Sequence, residues 1–263
     1  MASFTTLYSG SSGNCAVVEE NGAYLLIDIG KSCRQTVTFL KQMGLSPEGL
    51  QGILITHEHS DHISGLSVFL KKHPVPVYGY GESLAFLQRQ QIVPENVPCL
   101  DVKNKSLHVG DFWVESFETS HDSLACCGYR VVTRTQKTVA LATDLGFVSP
   151  EVLANLYCAD VVALEANYDP YLLMSGKYPA ALKYRILSNS GHLSNEDCAK
   201  TVVKLMENGC DKIVLCHLSK ENNEPELALG SVHLELQNNN LSLPESTVLR
   251  AASRFAPDEW LVF

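Results

Sequence analysis

The segment Thr56-His57-Glu58-His59-Ser60-Asp61-His62 constrains this chain more than any other. Three imidazoles and Asp61 fall within six positions, directly after the apolar run Gly52–Thr56. Imidazole is the commonest metal ligand, and an extended segment points alternate side chains the same way. His57 and His59 can therefore converge on one ion, while Asp61 and His62, at the start of a following helix, can face a second. A polar turn that happens to be rich in histidine would not require so dense a spacing in so apolar a setting.

Four more residues of ligating type end strand-like runs. Asp28 follows Tyr24-Leu25-Leu26-Ile27, His121 follows Phe117-Glu118-Thr119-Ser120, Asp144 follows Val139-Ala140-Leu141-Ala142-Thr143, and His217 follows Ile213-Val214-Leu215-Cys216. Singly, each is an ordinary strand-end residue; as an ordered set they belong with the histidine motif. Around them the pattern predicts strands over Thr5–Tyr8, Ala16–Glu19 and Tyr24–Asp28, with an Asn21-Gly22 hairpin turn. A helix runs from a Ser32 cap to about Met43, and another from Asp61 to Lys72. Strands dominate residues 106–143, and helix–strand alternation then returns, with a Ser194 cap opening a helix to about Asn208. This order predicts a single α/β domain over residues 1–263, a four-layer αβ/βα sandwich with two sheets inside and helices outside.

Composition narrows the class. Hydrophobic residues make up 45% and charged residues 19%, which excludes wholesale disorder. A net charge of -9 argues against coating nucleic acid through a wholly basic surface, yet leaves room for a local grip on a few phosphates. No apolar run approaches ~18 residues, so no membrane helix is expected. The first ten residues lack the basic and apolar regions of a secretory signal, and the cytoplasm is the expected location. Nine cysteines, odd in number and without C-x-x-C, suggest reduced core thiols.

H-x-H-x-D-H followed by His, Asp and His at strand ends resembles the metallo-β-lactamase superfamily, from Thr5 to about His217. The resemblance implies two divalent ions, zinc or manganese. It assigns His57, His59 and His121 to one ion, Asp61, His62 and His217 to the other, and Asp144 as a bridge. Asp28 matches a supporting residue that holds the site by hydrogen bonds. His59 stands where iron-containing relatives tend to carry Glu, which argues against redox chemistry. Only residues 145–216 separate Asp144 from His217, too few for the domain that β-CASP nucleases insert there.

Leu164-Glu165-Ala166-Asn167 and Gly191-His192-Leu193-Ser194 resemble, in part, motifs of tRNase Z-like enzymes. That likeness implies a Glu165–His192 pair protonating a leaving oxygen. The alternatives are a strand-terminating Glu165 and a helix-capping-region His192. Lys183 and Arg185 lie near the expected mouth and are candidates for phosphate contact, or for a solvated helix face. The segments G-S-S-G-N-C, Y-P-x-x-L-K-x-R-I, G-H-L-S-N and C-H-L-S-K-E-N-N together resemble the WalJ/YycJ subfamily. This implies a 5′-to-3′ DNA exonuclease in which a hydroxide shared by two metals attacks phosphorus and Asp61 orients it. Asn222, after the last ligand, is a candidate pocket residue or a polar turn. Two other functions fit the same residues: a small-molecule hydrolase of a cyclic phosphodiester, lactone or thioester, and a catalytically silent metal-stabilised scaffold.

Overall fold

Strands that are apolar at every position must be covered on both faces, and this requirement fixes the layers. The computed structural model describes residues 1–263. Its N-terminal half holds β1 (Ala2–Tyr8), β2 (Cys15–Glu20), β3 (Ala23–Ile27), β4 (Leu50–Leu54), β5 (Val77–Gly79) and β6 (Cys99–Asp101). Helices α1 (Cys33–Gln42), α2 (Ser60–Ile63), α3 (Leu66–Lys72) and α4 (Gly81–Arg89) accompany them. The C-terminal half holds β7 (Ser106–Val109), β8 (Phe112–Glu118), β9 (Cys127–Val132), β10 (Thr138–Ala142), β11 (Val161–Glu165), β12 (Lys212–Cys216) and β13 (Val248–Ala251). Its helices are α5 (Pro150–Leu156), α6 (Pro170–Ser175), α7 (Ala180–Leu187), α8 (Asn195–Glu207) and α9 (Pro225–Asn238), after which β14 (Leu261–Val262) returns to pair with β1.

The two sheets have seven strands each, in the orders β14-β1-β2-β3-β4-β5-β6 and β13-β12-β11-β10-β9-β8-β7. Each changes from antiparallel to parallel pairing at its middle, at β3 and at β10. Alternate residues of one strand enter different cores. In β10, Val139 and Leu141 face the opposite sheet, while Ala140 and Ala142 lie under the helices. Leu25 and Ile27 of β3 likewise join the inter-sheet core, and Tyr24 and Leu26 join the helix-side core. Each fully buried aliphatic side chain contributes roughly 1.5–3 kcal/mol before entropy is counted. The result is the expected four-layer αβ/βα sandwich. No helix is long and apolar enough to cross a membrane. Cys158 is exposed and Cys99 half-buried, and the other cysteines are buried.

The Asn21-Gly22 turn forms with both residues at positive φ (54° and 87°), and Ser32 and Ser194 cap their helices as expected. The helix expected over Asp61–Lys72 is instead two, α2 and α3, broken at Ser64-Gly65. Close approach is the reason. Gly65 N–H donates to Ile29 O at 2.9 Å, and a Cβ on Gly65 would lie 1.9 Å from the Lys31 carbonyl oxygen. Gly30 meets the same surface from the other side, where a Cβ would lie 1.7 Å from Asp61 O. The two short helices thus fold over the turn Ile29-Gly30-Lys31, which carries Asp28 into place. The pattern carries no clear signal for β5, α4, β6, α6, β13 and β14, all built of short segments except α4, while α7 is the helix that Lys183 and Arg185 share.

Gly65→Ala is expected to destabilise the fold by about 3 kcal/mol, since the added carbon meets backbone that cannot retreat. Gly230→Ala in α9, where nothing lies within 4 Å of the new carbon, is expected to stabilise by about 0.5–1 kcal/mol. Urea denaturation of the two variants beside the parent checks both signs.

Candidate metal centre

Three strand-end residues share an unusual backbone: Asp28, Asp144 and His217 have φ of 64°, 57° and 54°. The left-handed region is costly for most side chains but is visited more readily by Asp and His. It bends the chain sharply off β3, β10 and β12, so the side chain projects over the end of the sandwich. His57 leaves β4 at the same end through Ile55-Thr56, and His121 leaves β8 through Thr119-Ser120. Eight such side chains, with His192, meet there.

Two clusters result. His57, His59 and His121 form one, with ring centroids 4.6–5.1 Å apart, and Asp61, His62 and His217 form the other. Asp144 lies between them: Oδ2 is 3.1 Å from His62 Nε2 and 2.9 Å from His217 Nδ1, while Oδ1 is 3.7 Å from His121 Nε2. Asp61 Oδ2 is 3.6 Å from the Nε2 atoms of both His62 and His217. All seven expected ligands are therefore brought together in the expected grouping.

Supporting hydrogen bonds set which nitrogen faces the centre. A carboxylate can only accept, so His62 Nδ1–H donates to Asp28 Oδ2 at 2.7 Å and its Nε2 lone pair points inward. Asp28 also accepts from Thr56 N and Thr56 Oγ1 at 2.9 and 2.8 Å. His121 Nδ1–H donates to Gly191 O at 2.9 Å, freeing its Nε2. His57 Nε2, Asp144 Oδ2 and both ring nitrogens of His217 are buried without hydrogen-bond partners. Orphaned buried polar atoms are expensive, and such atoms on three neighbouring side chains, His57, Asp144 and His217, fit a cation. The donor set, imidazole nitrogen with carboxylate oxygen, suits a divalent one.

Charge points the same way. Burial, then the neighbouring His62, pushes His57 well down, and burial pushes His121 down, so both favour the neutral ring that binds metal. Burial also works against protonation of His62 and His217, but the carboxylates outweigh it. Asp28 and Asp144 hold His62 well above the usual histidine range, and Asp144 raises His217 to about 9. Burial would raise Asp144, yet His217 and His62 keep it well below the carboxylate range. The carboxylates thus demand positive charge, and a divalent ion competes with protons for that place.

The other expected residues divide. Glu165 is wholly buried, and its Oε1 accepts from His192 Nδ1 at 2.8 Å; its Oε2 accepts from Leu145 N and Leu193 N at 2.9 and 3.2 Å. His192 Nδ1 is also 3.6 Å from Asp144 Oδ1. Burial lowers His192, but Glu165 outweighs burial and raises it. Arg185 sits at the rim, where it holds Asp122, the residue after His121, through Nε and Nη2. Lys183 departs from its expected place: its ammonium donates to the carbonyls of Met174 and Gly176 at 2.6 and 2.7 Å, capping the end of α6. Asn222 lies in the polar turn that was the alternative for it, buried after His217 with its backbone N–H donating to Ser219 Oγ. His73 packs against Phe69 at a tilt and His108 meets Trp113 edge-on, outside the two clusters.

Other supports carried too little sequence signal to be assigned. Asn14, in the Gly/Ser-rich opening loop, places Nδ2 3.2 Å from His62 Nε2, and its backbone N–H donates to Asp61 O at 2.8 Å. That loop is thereby fastened to the centre. Asn167 Nδ2 donates to His217 O at 2.9 Å. Asn195 and Asn223 exchange reciprocal amide bonds of 2.9 and 2.8 Å, and Asn223 also donates to Ala166 O. Together these amides tie the loops after β11 and β12.

The sequence profile of the Beta-lactamase superfamily domain matches residues 24–217. The exodeoxyribonuclease WalJ of Streptococcus pneumoniae is 40% identical over 228 residues, which cover 86% of this chain and 84% of WalJ. The exodeoxyribonuclease YycJ of Bacillus anthracis is 36% identical over 251 residues, 92% of each chain. The crystal structure of Zn2+-bound PqqB from Methylobacterium extorquens has a TM-score of 0.72 over 98% of this chain and 99% of that one, at 14% identity, a likeness of fold. Matched over residues 24–217 and along most of two such sequences, this chain belongs to the metallo-β-lactamase superfamily, in its WalJ/YycJ exodeoxyribonuclease family.

Proposed function

We propose that this protein is a metal-dependent DNA exonuclease, working in the cytoplasm from 5′ ends with two divalent ions, zinc or manganese. The observation that carries the reading is the Glu165–His192 pair, set 3.6 Å from the carboxylate that lies between the two ligand clusters. Hydrolysis at phosphorus needs an acid for the departing oxygen, and this pair supplies one beside a metal centre. Relatives named exodeoxyribonucleases, similar over most of their length, support DNA as the substrate.

His57, His59 and His121 would hold one ion, Asp61, His62 and His217 the other, with Asp144 shared. Bound there, divalent ions supply Lewis acidity and a water of lowered pKa. The chain's own residues do the rest. Asp61 is the open-side carboxylate, 22% exposed at its side chain against 2–3% for Asp144 and Asp28, and it orients the attacking water. His192 keeps Nδ1 on Glu165 and presents Nε2 to the substrate, where it donates a proton to the departing sugar oxygen. Glu165 holds that proton on the ring. Arg185 offers its guanidinium to a substrate phosphate in exchange for Asp122. Lys183 and Asn222 act in this reading by shaping the loops around α6 and His217.

A second reading is hydrolysis of a small phosphodiester. The observation in its favour is that Asp122 already neutralises Arg185 and backbone carbonyls occupy Lys183, which leaves the rim short of free cations for a long polyanion.

The test is turnover of end-labelled single- and double-stranded DNA, RNA and bis(p-nitrophenyl) phosphate by metal-reconstituted protein. Stepwise release of nucleotides from 5′ ends is expected, and cleavage of the small diester alone would establish the second reading instead. His192→Ala is expected to lower kcat about 10²–10⁴-fold while metal content stays unchanged. Asp28→Asn should weaken metal binding about 10–100-fold, measured by competition with a chromogenic chelator. Equal metal loss in His192→Ala and Asp144→Asn would overturn the division of roles.

A further inference from the structure

Glu58 lies between the ligands His57 and His59, and alternation turns it away from the metal centre. Its carboxylate is nevertheless fully engaged. Oε1 accepts from Leu124 N at 2.8 Å, and Oε2 accepts from Ser83 Oγ at 2.7 Å. Ser83, buried on α4, also places its hydroxyl 2.8 Å from Ala125 O. Leu124 and Ala125 belong to the loop between β8 and β9, which is closed by Thr119 N donating to Cys126 O at 3.1 Å and which carries His121.

This loop is held from two directions. Its first limb is fastened to the C-terminal half: Gly146 N donates to Ser120 O, His121 donates to Gly191 O, and Asp122 pairs with Arg185. Its second limb, Ser123-Leu124-Ala125, has hydrogen bonds to the N-terminal half through Glu58 and Ser83 and none elsewhere. His57 and His59 come from the N-terminal half, whereas His121 comes from the loop. The spacing among these three ligands therefore depends on how the loop is joined to the His57–His59 segment. The Asp61, His62 and His217 cluster has separate support through Asp28, Thr56, Asn14 and Asn167.

We infer that Glu58 is a positioning residue that clamps the His121 loop to the His57–His59 segment, and so sets the affinity of one half of the metal centre without touching the ion. The inference rests on the two-ion reading above. Oε1 is the critical atom, because it accepts the Leu124 amide. A Gln in place of Glu58 keeps an acceptor there and can still meet the Ser83 hydroxyl, whereas Ala leaves the limb unfastened.

The experiment is Co2+ titration followed by visible absorption on the full chain, with Glu58→Ala, Glu58→Gln and Ser83→Ala beside the parent. His121→Ala identifies which binding step belongs to the His57, His59 and His121 half. Amide exchange at Leu124 is measured on the metal-free proteins. Glu58→Ala is expected to weaken the identified step about 10–100-fold, leave the other step within about twofold, and speed Leu124 exchange at least ~10-fold. Glu58→Gln is expected to restore the identified step to within about threefold of the parent, and Ser83→Ala to fall between. An unchanged step, equal weakening of both steps, or unchanged Leu124 exchange in Glu58→Ala would overturn the clamp. A single step in the parent would overturn the two-ion reading instead, and Leu124 exchange in the metal-free variants would then decide the clamp alone. If Glu58→Ala does not fold, Glu58→Gln with parental affinity and Ser83→Ala with a selectively weakened step are the supporting pair; parental affinity in both overturns it.

Discussion

Everything at the site end depends on the contact between the Asp28 carboxylate and His62. One oxygen of Asp28 receives the His62 ring N–H while the group also receives both the amide and the hydroxyl of Thr56. Through these bonds the end of β3, the exit from β4 and the short helix α2 are fixed to one another. The ring is thereby oriented, its inward nitrogen is left with a lone pair, and His57 begins from a defined point. Burial of an ionised carboxylate is costly unless it is paired and hydrogen-bonded, so the arrangement holds only as a complete set.

A chain of net charge -9 gathers Asp28, Asp61, Asp144 and Glu165 within one small region, against its own electrostatic interest. The histidines offset part of this. Glu165 has its own ring, His192, and the backbone amides of Leu145 and Leu193. Asp144 has His62 and His217 but no partner for Oδ2 that satisfies hydrogen-bond geometry. The two carboxylates therefore differ in kind: Glu165 is satisfied by protein groups, whereas Asp144 and its surroundings call for an ion. In the proposed reaction that difference would separate the proton-handling side of the site from the metal-holding side.

The candidate ligands of His57–His62 were legible from their density, and Asp144 and His217 because runs such as Val139–Ala142 and Ile213–Cys216 are apolar on both faces and leave their polar ends conspicuous. Glu165 and His192 stood out only through a partial likeness of motif. Elsewhere the three-dimensional approach of distant segments decides the outcome. Nothing in the period of Ile63, Leu66, Phe69 and Leu70 shows that Gly65 must press against the Lys31 carbonyl, so one helix was expected where two form. Lys183 and Arg185 were placed near the mouth by their position in the chain. Chain position does not show that Met174 and Gly176 present carbonyls to one and Asp122 a carboxylate to the other. Glu58 carries no signal of its own in the sequence, because what it binds, Leu124 and Ser83, lies on elements far away in the chain.

The division of the ligands between the two sheets has a mechanical consequence. The segment His57–His62 belongs to the first sheet, and His121, Asp144 and His217 belong to the second. With ions bound as in the proposed function, the centre would be a removable staple across the seam of the sandwich, closing it at one end while the inter-sheet core closes it along its length. Ligand binding to the folded state adds RT ln(1 + [L]/Kd) to its stability. On the proposed function, the cohesion of the two halves at that end would rise and fall with the free metal concentration around the protein, and mechanical integrity and readiness for chemistry would be set by the same variable.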